Sequence, residues 1–130
     1  MNLKNIPKEI KAAILHRAIE VLKTDVMCDG MCWAIRNAIT HEYNKLIPFM
    51  EEFIKCSTYT YLFNRIFPLF SHENYIKFCK NNFNFIPKGC VWWNVSLKHV
   101  QDIDEYEPAR QRRIAFLTYI LNTYETSENN

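Results

Sequence analysis

Apolar residues recur at helical spacing over much of the chain, and the polar positions between them divide it into elements. Ile10, Ala13, Ile14, Val21 and Leu22, with Ala18 between, form one stripe, while Lys8, Glu9, Lys11 and Glu20 take the wet side. That pattern predicts a first helix from near Pro7, a residue favoured at the first helical position, to about Lys23. Asp29-Gly30 signals a turn, and a second helix is expected from Met31 or Cys32 to about Asn44. Its inner face is read as Cys32, Ile35, Ile39 and Tyr43, with Ala38 close by.

The middle is dense in aromatic residues. Pro48 can open a third helix over Phe49, Met50, Phe53 and Ile54. Residues 56–61 suit either a loop or a short extended piece, and 61–66 a turn or two of helix closed before Pro68. Ser71 is a plausible N-cap for a helix from His72 to about Asn81, with Tyr75, Phe78 and Cys79 inward.

Pro87-Lys88-Gly89 is a turn, and Cys90 to Val95 is the best strand candidate. Its nearest partner is Phe83-Asn84-Phe85-Ile86, which would make a small hairpin. After an acidic loop, Pro108 opens a last helix to about Tyr124, with Ile114, Leu117, Leu121 and Tyr124 inward. The expected fold is mainly α, formally α+β: a compact bundle of about five helices with a β-hairpin around residues 83–95. Residues 1–124 read as one globular domain and 125–130 as a disordered tail.

Composition narrows the function classes. A chain of 130 residues buries roughly two-thirds of its unfolded surface, enough for a core without disulfides or metal. The net charge of +2, from 16 basic and 14 acidic residues, makes no electrostatic case for nucleic acid. No run of 18 apolar residues and no signal-peptide pattern occur, so a cytoplasmic protein is expected, without membrane attachment. Five cysteines, an odd number, fit free thiols in a reducing compartment. With only two glycines, Gly30 and Gly89, the chain holds no phosphate-cradling loop of the Walker or Rossmann type.

Three local features carry candidate chemistry. Gly30-Met31-Cys32-Trp33-Ala34 resembles the nucleophile segment of papain-like cysteine proteases, where the cysteine opens a helix whose dipole favours the thiolate. In this chain Cys32 takes that position and His99 is the candidate base; the plainer reading is a small cysteine packed between helices. Cys28 and Cys32 have zinc-ligand spacing, but no second pair exists, so no metal is expected. Trp92-Trp93 would face opposite ways on a strand, one to the core and one to a surface or cleft where it can stack on a base, a sugar or a protein. Arg110, Arg112 and Arg113 sit at the start of the last helix, where cations are unfavourable. They either pair with Asp102, Asp104, Glu105 and Glu107 or grip an anion; Arg36 is a further candidate anion contact.

The order of these features resembles a group of small proteins encoded by tailed phages and prophages. The likeness lies in the N-terminal amphipathic helix, Gly30-Met31-Cys32-Trp33-Ala34 opening a second helix, Trp92-Trp93, and a final helix carrying Arg113-Ile114-Ala115-Phe116-Leu117. It implies a viral accessory protein acting in a bacterial cytoplasm, of a kind that counters host defence by sequestering a nucleotide signal or binding a host protein.

The leading reading is non-enzymatic binding of a small anionic, nucleotide-like ligand, needing no cofactor. Trp92 or Trp93 would stack on it, Arg112, Arg113 or Arg36 would meet its charge, and Cys32 would line the floor. A module that inhibits a host protein, as monomer or homo-oligomer, is the second reading, and a thiol hydrolase using Cys32 and His99 the third.

Overall fold

The computed structural model describes residues 3–24, 31–49, 59–86 and 106–126, and six α-helices lie among them. They are α1 (Lys8–Thr24), α2 (Met31–His41), α3 (Tyr43–Leu46), α4 (Tyr59–Ile66), α5 (His72–Phe83) and α6 (Tyr106–Thr126). Short 3-10 turns cover Leu3–Asn5 and Ile47–Phe49.

Helix ends follow local chemistry. The Pro7 carbonyl accepts the Ile10 and Lys11 amides, each at 3.1 Å, and so starts α1. Glu9 in its first turn and Lys23 in its last complement the helix dipole. Ser71 caps α5: its Oγ accepts the Asn74 amide at 3.1 Å, a contact worth about 1 kcal/mol. Asn84 stops that helix in the left-handed conformation, at φ 52°, where the Asn84 and Phe85 amides both turn back to the Cys79 carbonyl.

That stop corrects the expected hairpin. Phe83 is the last residue of α5, and Phe85 and Ile86 leave it without joining a strand; no strand occurs among the described residues. The Phe-Asn-Phe alternation reads as β, but the preceding helix propagates through Phe83 and Asn84 then provides its cap. Cys90 to Val95 lie outside the described residues.

α1 packs against both α2 and α6; α4 packs on α2, and α5 on α6. This placement widens the buried face of α1: Leu15 and Ile19 join Ile14, Ala18, Val21 and Leu22 in the core, while Ile10 and Ala13 are half-buried. Arg17 Nε donates to Asn37 Oδ1 at 3.0 Å, tying α1 to α2. On α2, Ala34, Ile35, Ala38 and Ile39 are fully buried, and Glu42 and Leu46 continue that face. Tyr43 is therefore turned outward, 43% exposed, against the inner position expected for it. Only Ile47–Phe49 of the helix expected from Pro48 is described, and it is a 3-10 turn.

Phenylalanines from the aromatic middle of the chain meet in one seam. Phe63 lies 4.7 Å from both Phe67 and Phe70, ring centre to ring centre. Phe67 then meets Tyr124 edge-on at 5.6 Å, and Phe70 meets Phe116 at 6.3 Å, so the segment after α4 reaches α6. The Leu69 and Phe70 carbonyls accept the side-chain amides of Asn74 and Asn64, which hold this turn closed. α6 begins two residues before Pro108, whose missing N–H falls in the first turn where no acceptor is lost. It runs to Thr126, two residues into the segment read as a tail, and Glu125 Oε2 lies 3.1 Å from His16 Nε2 of α1.

Candidate functional site

The start of α6 gathers the least expected burial among the described residues. Arg110, Arg112 and Arg113 are 6%, 7% and 3% exposed, although arginine is among the residues least often buried. Helix geometry divides them between two neighbours. Arg110 Nε donates to the Leu22 carbonyl in the last turn of α1, so the second turn of α6 sits beside the last turn of α1. The Leu22 carbonyl is one of the four that a helix end leaves without an internal partner. A cation there also meets the negative end of the α1 dipole, and because α6 starts at Tyr106 rather than at Pro108, Arg110 lies past the first turn, where the expected conflict with the α6 dipole has fallen off.

Arg112 and Arg113 act on α5 and the segment that follows it. The Arg112 guanidinium lies over the Phe85 ring at 3.7 Å. Both arginines exert their charge on Tyr75 and Cys79, two side chains one helical turn apart that hydrogen-bond to each other. Tyr75 is 3% exposed and Cys79 fully buried. Loss of hydration pushes the Tyr75 hydroxyl far above its ordinary value of 10.0 and raises the Cys79 thiol above 9.0. The Tyr75 hydrogen bond and the two guanidiniums favour the Cys79 thiolate, yet burial outweighs them, so Cys79 stays a neutral thiol rather than a nucleophile.

An alkaline dependence of stability follows. Both groups hold their protons more tightly folded than unfolded, so above the unfolded values the native state binds more protons and stability falls as pH rises. The Cys79 contribution is fully present below pH 9.0 and the Tyr75 contribution below pH 10.0, and each is lost progressively above. Urea unfolding between pH 8 and 11 is expected to show a shallower alkaline decline in Tyr75→Phe than in the wild type. Equal slopes would remove Tyr75 as the cause.

The other sequence candidates are distributed as follows. Arg36 is on the exposed face of α2, its guanidinium 5.7 Å from the Tyr59 ring centre. Cys32 is the second residue of α2, the helix-opening place expected for it; its side chain, like Trp92, Trp93 and His99, lies outside the described residues. Among the described residues no group of three or more His, Cys, Asp or Glu could hold a metal ion, and no helix is long and apolar enough to cross a membrane.

Sequence reading missed the meeting of Tyr75 and Cys79 with Arg112 and Arg113. The four-residue spacing of the first pair and the adjacency of the second were visible, but nothing in the chain said that α5 and α6 pack together. The chain matches no protein-family model, and no curated protein or solved structure is similar to it.

Proposed function

We propose that the protein is a non-enzymatic binder of a small anionic, nucleotide-like ligand, with Arg112 and Arg113 meeting the ligand's charge. The observation that carries this reading is the burial of two adjacent guanidiniums near Phe85, Tyr75 and Cys79. A guanidinium carries its N–H groups in one plane, the geometry that meets phosphate and carboxylate oxygens in pairs. Arg110 is left to structure through its bond to α1. Trp92 or Trp93 supplies the stacking surface in this reading, Cys32 lines the floor, and Arg36 is a secondary contact. The role that fits such a binder, and the phage resemblance, is sequestration of a nucleotide signal in a host cytoplasm.

The test is thermal unfolding against linear and cyclic nucleotides and ADP-ribose derivatives. A ligand at about a hundred times its dissociation constant adds roughly 2.7 kcal/mol, which raises the midpoint of a domain this size by several degrees. One compound class is expected to give that shift in the wild type, and Arg112→Gln/Arg113→Gln to lose it. No shift across the panel, or one that survives the double substitution, would overturn the reading.

The runner-up is a protein-interaction role, favoured by two exposed aromatic side chains, Trp33 on α2 at 45% and Tyr43 at the start of α3 at 43%.

A further inference from the structure

The end of α5 turns one ring inward and leaves its neighbours out. Phe83 and Ile86 are 42% and 58% exposed, whereas Phe85 between them is half-buried and packs against the core. The backbone explains the difference. Asn84 adopts φ 52° and ψ 42°, and the Asn84 and Phe85 amides both return to the Cys79 carbonyl. A left-handed residue reverses the chain at a helix end, so that the next apolar side chain folds back toward the helix just completed. Asparagine enters that conformation more readily than most residues, and a β-branched residue there is an outlier.

The ring so placed meets α6. Arg112 Cζ lies 3.7 Å from the Phe85 ring centre, against 5.3 Å for Lys11 Nζ over Tyr124 and 5.7 Å for Arg36 Cζ over Tyr59. A ring face attracts a cation within about 6 Å, and more strongly where water is excluded. Arg112 is 7% exposed, so its contact is of the second kind. Arginine is among the side chains with the most rotamer freedom to lose when ordered. Contact with the ring removes that freedom in the folded protein, before any ligand arrives, and preorganisation of this kind raises affinity. We propose that Phe85 is the positioning residue of the anion site: its ring, aimed by the left-handed Asn84, holds the Arg112 guanidinium in place for the ligand. This rests on the reading of Arg112 and Arg113 as the ligand's charge contacts. It adds that the cap of α5 sets the affinity of a group carried by α6, without supplying a charge of its own.

Calorimetric titration of the full chain with inorganic pyrophosphate tests it, together with the proton spectrum of the Arg112 side chain. Phe85→Leu is expected to weaken pyrophosphate binding by up to about tenfold, the scale of one long side chain left to be ordered at binding. Phe85→Tyr keeps the ring face and should stay within about twofold of wild type. Without ligand, the Arg112 Nε proton should be displaced by the ring in the wild type and in Phe85→Tyr, and lose that displacement in Phe85→Leu. Asn84→Gly, which enters the left-handed region freely, should match the wild type, and Asn84→Val should reproduce the loss. Should Phe85→Leu fail to fold, the two Asn84 variants decide. Wild-type affinity in Phe85→Leu, or an equal loss in Phe85→Tyr, would overturn the positioning role and leave Arg112 and Arg113 as charge contacts. Pyrophosphate that binds the wild type no better than Arg112→Gln/Arg113→Gln would overturn the underlying reading and this inference together.

Discussion

Phe116→Ala is expected to be the most damaging single substitution in the described part of the chain. The Phe116 ring is fully buried and meets four others: Tyr75 at 5.3 Å, Phe78 at 5.5 Å, Phe70 at 6.3 Å and Tyr119 at 6.4 Å. Truncating a buried phenylalanine costs about 3–5 kcal/mol, from lost transfer energy and the cavity left behind. A domain is stable by only about 5–15 kcal/mol, so this is a large share. The unfolding midpoint should fall by roughly 10–20 °C. Phe116 also joins α5 to the turn after α4 through α6, so its neighbours cannot relax into the space without moving three elements. Phe116→Leu keeps most of the volume and should recover roughly half of the loss. Tyr119→Ala, one turn on but 45% exposed, is the control and should stay near 1 kcal/mol. A Phe116→Ala midpoint within about 3 °C of wild type would mean that the ring is not a keystone of the seam.

Arg110→Ala is expected to be the second largest effect, and its signature is stability rather than binding. A hydrogen bond from a charged donor is worth about 1.5–3 kcal/mol, and its loss here strands the Leu22 carbonyl at a buried junction. The midpoint should drop by roughly 5–10 °C. Backbone amides in the last turn of α1 and the first turns of α6 should exchange faster with solvent, because the Arg110 bond adds to the packing that holds them together. Ligand-induced shifts should persist in this variant while vanishing in Arg112→Gln/Arg113→Gln. The reverse result, an unchanged melt with lost ligand response, would assign Arg110 to the ligand instead.

These two residues show what a linear reading reaches and what it does not. The core stripes of α1 and α6 were legible because 3.6-residue periodicity is written into the chain: Ile14, Val21, Leu22, Ile114, Leu117 and Leu121 are buried as expected. So was the start of α5, since Ser71 caps by a bond to its own third neighbour. Local chemistry determines such features, and no distant residue needs to be known. The cluster of arginines near the start of α6 was equally visible, but its expected conflict with the helix dipole disappears because α6 starts at Tyr106, two residues before Pro108.

Failures arose where a distant partner decides. Tyr43 fits the inner stripe of α2 by spacing, yet Glu42 and Leu46 take the core side and turn it out. Leu15 and Ile19 are buried because α1 has helices on two sides, a fact of packing rather than pattern. Phe83 alternates like a strand residue, but a helix already under way extends at little cost until a left-handed Asn84 ends it. Arg112 and Arg113 read as cations that pair with the acidic run before them or grip an anion, and only the tertiary structure buries them beside Phe85, Tyr75 and Cys79.

The sequence by itself determined a helical chain, the caps and core stripes of its helices, and a basic cluster in need of a reason. The tertiary structure alone decided which helices meet, and so that Arg110 closes α1 while Arg112 and Arg113 face α5. Helix formation depends on neighbours three or four residues away, which the chain displays. Helix pairing depends on surfaces a hundred residues apart, whose fit exists only once the chain has folded.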